Sequence, residues 1–418
     1  MNWKAKRDNR PFLLGVLLVL LCLQNIIVAG IGGLDIKLFQ VFGLVILLVS
    51  LGVRGSLWRV PSMGLCLLGL FVIGISFLDS FRFGLNAVLL NYAFFFVLVF
   101  AVYNLSFGFA LAQWERLIQV AALLILGLVY VKMFLNSSAI KNFLMNPWAG
   151  HPDIETFFGG GVNLEATWLA MFGVFFRKDA RGFAYLSGSM LISVVYASRA
   201  GVLLSVLSIV YVFAIRPRNR GLAIKLLGVG AIILIALLLL SATDNPIVER
   251  FLSIGEDRGS QGRLNMWQFV LSAFEESPLL GCGAGNAIVH VEEISGMAFS
   301  EGNLHNYYFQ TLLDFGLVGF SLFMITVLVF LRGAWIDRLS NPFEAFILCY
   351  LVVALIQFRG AEPLLAFMVA GYLGTSHNGA SGEEHVLDPS RADSGREASF
   401  RKGLHADTEK GVEVSCLA

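Results

Sequence analysis

A handful of positions carry the chemistry that this chain can be expected to do. Arg199 lies in Ala197-Ser198-Arg199-Ala200-Gly201, a short connection between two apolar runs. A guanidinium beside backbone donors suits a diphosphate, held through planar bidentate hydrogen bonds in a partly desolvated site. The same arginine could instead snorkel to lipid headgroups, but Ser198 and Gly201 let two helix ends approach closely and favour the first role. Arg263, Trp267, Val270 and Phe274 recur at i, i+4, i+7 and i+11, which sets an arginine beside two aromatics on one helical stripe. That stripe reads as an amphipathic helix along a membrane surface, with Trp267 at headgroup level. His305, in Asn303-Leu304-His305-Asn306-Tyr307-Tyr308, is the natural general base near neutral pH. A lone histidine beside a membrane is more often held by a backbone carbonyl, and the local polar and aromatic cluster is what raises this one. Glu165 could orient Arg199 or a sugar, or simply face water at a helix end. Arg250 and Arg258 could add to diphosphate binding or contact headgroups.

These residues need a frame to bring them together, and composition supplies it. Of 418 residues, 57% are hydrophobic and 14% charged, with a mean hydropathy of +0.76. A soluble chain carries about 25% charged residues, so an all-α, polytopic integral membrane protein is expected. The net charge of +1 argues against a nucleic-acid partner. Cys22, Cys66, Cys282, Cys349 and Cys416 form no CxxC pair, so neither a disulfide framework nor a zinc site is indicated. Apolar runs near 11–31, 36–53, 61–78, 85–105, 117–135, 162–176, 183–197, 202–215, 225–242, 315–332, 343–358 and 361–374 predict about twelve transmembrane helices. The first run, preceded by Lys4, Lys6, Arg7 and Arg10, is read as a retained helix and not a signal peptide.

Basic residues gather in alternate connections: Arg54 and Arg59; Arg116; Arg177, Lys178 and Arg181; Arg216, Arg218, Arg220 and Lys225; Arg332 and Arg338. Positive charge marks the cytoplasmic side, which places both termini in the cytoplasm. The segments 136–161 and 243–314 then lie outside, the second as a large outer loop containing the amphipathic helix. Arg199, Arg263 and His305 all fall on this outer face. Arg82 and Arg359 do too, but Asp79 and Glu362 are close by in sequence and suggest local pairing. A transmembrane domain over 1–374 is expected, followed by a tail, 375–418, whose polar composition predicts disorder.

On these motifs the chain resembles the O-antigen ligase family, which also includes Wzy-type polysaccharide polymerases. Arg199-Ala200-Gly201-Val202-Leu203 fits the family's RxxxL element. Arg263 through Trp267, continuing to Pro278-Leu279-Leu280-Gly281-Cys282-Gly283, looks like its R…W…PLLGxG segment. His305-Asn306, nine residues, then Gly316-Leu317-Val318-Gly319 fits the His-[Asn/Ser/Gln]-x9-Gly-x-x-Gly pattern. Asn163 resembles a recurrent family asparagine. The likeness is strongest over about 160–330.

The resemblance implies a membrane glycosyltransferase of the bacterial inner membrane, acting at its periplasmic face. Its donor would be a glycan on undecaprenyl diphosphate and its acceptor a lipid A-core hydroxyl. Arg199 and Arg263 would bind the donor diphosphate and His305 would activate the acceptor, with Arg250, Asn306, Glu165, Asn163 and Trp267 in support. No cofactor is expected, and metal independence follows from arginine replacing a metal's charge. Two alternatives stay open. A polymerase would use the same donor and a glycan acceptor, and a transporter of lipid-linked glycans would need ionisable residues deep in the spans and related halves. In this chain the unusual residues crowd on one face.

Overall fold

In a long apolar run every backbone polar group must find its partner within the protein, and a helix satisfies them all locally. The computed structural model describes residues 8–31, 34–54, 59–83, 87–146, 152–216, 258–299, 302–357 and 360–382. In chain order over these residues, the elements are α1 (Arg10–Cys22), β1 (Ile27–Ile31), β2 (Leu34–Lys37), α2 (Leu38–Arg54), α3 (Met63–Phe83), α4 (Ala87–Leu105), α5 (Leu111–Leu135) and α6 (Ser137–Met145). They continue with α7 (Val162–Phe172), α8 (Ala180–Val195), α9 (Arg199–Val210), α10 (Arg258–Trp267), α11 (Val270–Glu276), α12 (Ala287–Ser295), α13 (Tyr307–Ile336), α14 (Pro342–Val353) and α15 (Pro363–Gly382).

Among the described residues four helical stretches are long and apolar enough to cross a membrane: Met63–Phe81, Ala87–Leu105, Leu111–Leu135 and Tyr307–Ile336. Shorter apolar helices occupy the other expected runs, at Arg10–Cys22, Leu38–Gly52, Val162–Phe175, Ala180–Val195, Arg199–Ile215, Pro342–Val353 and Pro363–Ser376. The expected run 225–242 lies outside the described residues.

Three expectations about element boundaries change. The first run does not continue as a helix to residue 31. α1 stops at Cys22 and an antiparallel hairpin follows, with Ile31 paired to Leu34 and Gly30 to Asp35. Ile26, Ile27 and Val28 are β-branched and Gly32-Gly33 separates the strands, so local preference there favours a hairpin. The stripe 263–274 is divided between α10 and α11, with a turn at Gln268 and Phe269. Helix α15 runs to Gly382, so residues 375–382, expected in a disordered tail, are helical.

An aromatic column ties the main core together. Trp114 of α5 meets Phe343 of α14 and Phe367 of α15 edge-on, each at 5.5 Å between ring centroids. Trp168 of α7 stacks against Phe346 and Tyr350 of α14 at 6.1 and 6.0 Å. A second, smaller core forms where Met266, Val270 and Ala273 pack with Ala287, Ile288 and Val291 beneath Leu304 and Leu313. The apolar stripe of α10 and α11 therefore faces its own chain, and Trp267 and Phe274 pack on this cluster.

Candidate active site

Arg199 is the first residue of α9. Its placement begins at Tyr196, the C-cap of α8, after which Ala197 turns the chain with a left-handed φ of +49°. Ser198 then caps α9, its Oγ accepting from the Gly201 amide at 3.2 Å. The same hydroxyl donates to the Asn163 carbonyl at 3.4 Å. Gly201 makes this proximity possible: a Cβ there would lie 2.9 Å from Ala166 Cβ and 2.7 Å from Ser193 Oγ. Asn163 and Arg199 are thus brought to one junction, where α7 and α9 both begin.

Glu165 does not face water at a helix end. Its carboxylate is fully buried and paired with Lys132 of α5. It also accepts from the Tyr196 hydroxyl at 3.1 Å and from the Phe157 amide at 2.7 Å. Neither Lys132 nor Tyr196 was foreseen, although a lone lysine near the end of an apolar run is itself a signal.

His305 is presented by a different device. Its own φ is +52°, a left-handed conformation that costs a non-glycine residue about 1–2 kcal/mol. Asn303 Oδ1 accepts from the His305 amide at 2.9 Å in an Asx turn, which holds the near side. Asn306 holds the far side as the cap of α13, its Oδ1 accepting from the Tyr308 and Phe309 amides, each at 3.0 Å. The next amide, Tyr307, donates to the Ala354 carbonyl at the end of α14, at 2.8 Å. Tyr308 Oη donates to the Leu351 carbonyl at 3.0 Å.

Beneath His305 a chain of polar contacts runs through the smaller core. The Leu304 carbonyl accepts from the Trp267 indole N–H at 2.7 Å. Its amide donates to Gln310 Oε1 at 3.2 Å, and Gln310 Nε2 donates to Asp314 at 3.0 Å. Asp314 is buried and accepts from the amides of Gly285 and Ala287, both at 3.1 Å, so it secures the start of α12. Trp267 joins the helix of Arg263 to the His305 segment, with its ring edge-on to Phe309 at 5.7 Å. Arg263 lies one turn earlier on that helix, on the same face. Trp267 thus engages both its N–H and its ring within the protein.

The glycines explain how the chain reaches this point. The segment 278–283 pairs with an interruption of α13: Cys282 N donates to Leu313 O at 2.9 Å, Gly283 N to Asp314 O at 2.8 Å, and Leu317 N to Pro278 O at 2.8 Å. Gly316 makes the interruption, with φ +61° and ψ −168°. A Cβ at Gly281 would sit 2.5 Å from the Leu313 carbonyl oxygen, and one at Gly316 2.4 Å from that of Leu279. Cys282 donates through Sγ to Leu313 O at 3.3 Å, and burial pushes its thiol above the ordinary range, so it is a structural residue. His290 contacts the Ala273 carbonyl at 3.2 Å and lies near Glu276 and Glu293, so its ring is engaged with groups around it.

The Arg199 junction and the His305 segment both adjoin elements that pack on α14. Its last turns receive Tyr307 and Tyr308 from the His305 side, and its Tyr350 stacks on Trp168 of α7, the helix that holds the Arg199 turn. Arg250 and His151 lie outside the described residues. Residues 183–324 match the family model described as O-antigen ligase, a stretch that includes Arg199, Arg263, His305 and both glycines of the HNx9GxxG pattern but not Asn163 or Glu165. The resemblance carried by those motifs is borne out over that stretch, which supports membrane glycan transfer of the ligase type. No curated protein matches the chain.

Proposed function

We propose, from an O-antigen ligase stretch at residues 183–324 of an apolar helical chain, that this protein transfers a glycan from undecaprenyl diphosphate to a lipid A-core hydroxyl at the periplasmic face of the bacterial inner membrane. The observation that carries this reading is the bond from Trp267 to the Leu304 carbonyl. It ties the helix of an arginine, suited to a diphosphate, to the residue before a histidine suited to a general base.

In the proposed reaction His305 takes the proton of the acceptor hydroxyl. The acceptor oxygen bonds to the anomeric carbon as that carbon's bond to the phosphate oxygen breaks. Undecaprenyl diphosphate departs with the electron pair. Arg199 and Arg263 stabilise the charge that develops on it, from fixed positions that need no reorganisation. The dipole of α9 adds positive potential beside Arg199. One direct displacement inverts the anomeric centre. Diphosphate is a good leaving group, so a general acid is not required, and the two guanidinium groups supply the charge a metal would otherwise bring.

The test is transfer by the purified protein, with lipid A-core and a lipid-linked repeat unit offered as competing acceptors. Product on lipid A-core is expected; product only on the repeat unit would make the enzyme a polymerase. His305→Ala is expected to abolish transfer while donor binding persists, and normal transfer by that variant would remove the general-base role. EDTA-treated enzyme should keep its rate, and restoration of a lost rate by Mg²⁺ or Mn²⁺ would refute metal independence.

A further inference from the structure

We infer that Tyr196 and the buried Lys132–Glu165 pair are positioning residues that aim Arg199, an inference that rests on the diphosphate-binding role proposed for that arginine. The turn from α8 to α9 is latched on both sides of Ala197, immediately before Arg199, to the same turn of α7. On one side the Tyr196 hydroxyl donates to Glu165 at 3.1 Å; on the other the Ser198 hydroxyl donates to the Asn163 carbonyl at 3.4 Å. Between them the backbone reverses through the left-handed Ala197. The tight fit of Gly201 against Ala166 stops α9 from sliding along α7. A guanidinium at the first residue of α9 therefore inherits its direction from where the Glu165 carboxylate sits.

That carboxylate is itself fixed from outside α7. It is fully buried, so an ionised Glu165 needs a cation, and Lys132 of α5 supplies it. The Phe157 amide holds the other oxygen at 2.7 Å, and the Lys132 ammonium lies 4.6 Å from the Phe157 ring centre. Two oxygens with three donors leave the carboxylate one orientation. Tyr196 is the one member whose oxygen can be deleted without exposing a buried charge, which makes it the residue to test.

In the full-length enzyme, Tyr196→Phe is expected to leave the thermal unfolding midpoint nearly unchanged and to lower kcat/KM for the lipid-diphosphate donor by about tenfold, the scale of a slightly misdirected group. A purely structural hydroxyl would not produce the second sign, found in a double-mutant cycle. Tyr196→Phe in an Arg199→Ala background should add almost nothing, because aim is irrelevant once the guanidinium is gone. Full donor kcat/KM in Tyr196→Phe, or effects of the two substitutions that simply multiply, would overturn the inference. Should Tyr196→Phe unfold, Lys132→Met with Glu165→Leu decides, since it removes both charges together with the acceptor that latches the Tyr196 hydroxyl. Lowered donor kcat/KM in the folded protein, not lowered further by Arg199→Ala, supports the positioning role, and full donor kcat/KM overturns it. Arg199→Ala alone tests the functional reading separately: normal donor use by that variant would sink the diphosphate role whatever Tyr196 does.

Discussion

His305 occupies a backbone conformation that its side-chain type does not favour. With φ at +52° and amide contacts fixing it on both sides, the position would suit glycine better on local grounds. A histidine retained there against local preference is the kind of conflict that functional sites show. His305→Gly should therefore lose transfer and yet not lower the unfolding midpoint, measured on the same detergent preparation. A histidine kept for packing would give the reverse, with a lower midpoint and surviving activity. Its neighbour is a contrast. Asn306 Oδ1 satisfies two amides at the start of α13, so Asn306→Ala should destabilise by about 1–2 kcal/mol. Asn306→Asp keeps the acceptor and should recover most of that loss in the same melting experiment. The Asn of the HNx9GxxG pattern thus has a stabilising explanation independent of chemistry.

At the scale of elements, the glycines of that pattern decide how α13 meets the segment 278–283. Gly316 opens the helix, and Pro278 and Leu279 accept from Leu317 and Val318 in the gap. The atoms a Cβ would strike at Gly316 are backbone atoms of Leu279 and Leu280, which have no rotamer through which to retreat. Gly316→Ala is therefore expected to cost about 3 kcal/mol and to detach the segment bearing Asp314's partners. Gly302→Ala, where nothing lies within 4 Å, should change stability by less than about 0.5 kcal/mol. Equal melting temperatures for the two variants would show that the close approach at Gly316 is not needed. The same reasoning explains why the amphipathic stripe behaved differently from its sequence pattern. A periodic apolar face specifies that something will cover it, but Met266, Val270 and Ala273 are covered by α12 and the His305 segment and not by lipid alone.

Across the whole molecule, α5 links two charge clusters, each centred on a buried carboxylate. Near one end Glu115 pairs with Arg177 and Arg216, and near the other Lys132 pairs with Glu165. The seventeen-residue separation along the helix corresponds to about 26 Å, close to the roughly 30 Å hydrocarbon thickness of a bilayer. The two clusters lie where buried charges in a membrane helix can still be matched. They differ in solvent access, since the Arg177 side chain is 62% exposed whereas those of Lys132 and Glu165 are 10% and 0%. Lys132→Met should therefore be severe, by about 3–5 kcal/mol, because it leaves a buried carboxylate without its cation. Adding Glu165→Leu should restore much of the loss in the unfolding midpoint. If the double variant were no more stable than Lys132→Met, the pair would not be acting as one unit.

Composition and hydropathy alone determined that the chain is a helical membrane protein, because long apolar runs with little charge leave a helix as the local way to satisfy the backbone. The same letters singled out Arg199, Arg263 and His305, because charge and imidazole stand out where nearly everything else is apolar. Tertiary structure alone decided which of the polar residues face one another. Glu165 was legible as a possible partner of Arg199, but its burial against Lys132 depends on α5 and α7 packing side by side, and sequence separation does not encode that. The hairpin after Cys22 and the break at Gln268 were missed because a hydropathy run records how apolar a stretch is and not whether its backbone bonds close locally or across strands. Asp314 was passed over at the edge of a span, and only the fold shows it satisfying the amides of Gly285 and Ala287. Contacts of that kind are long-range, and their energy exists only once separate elements have met.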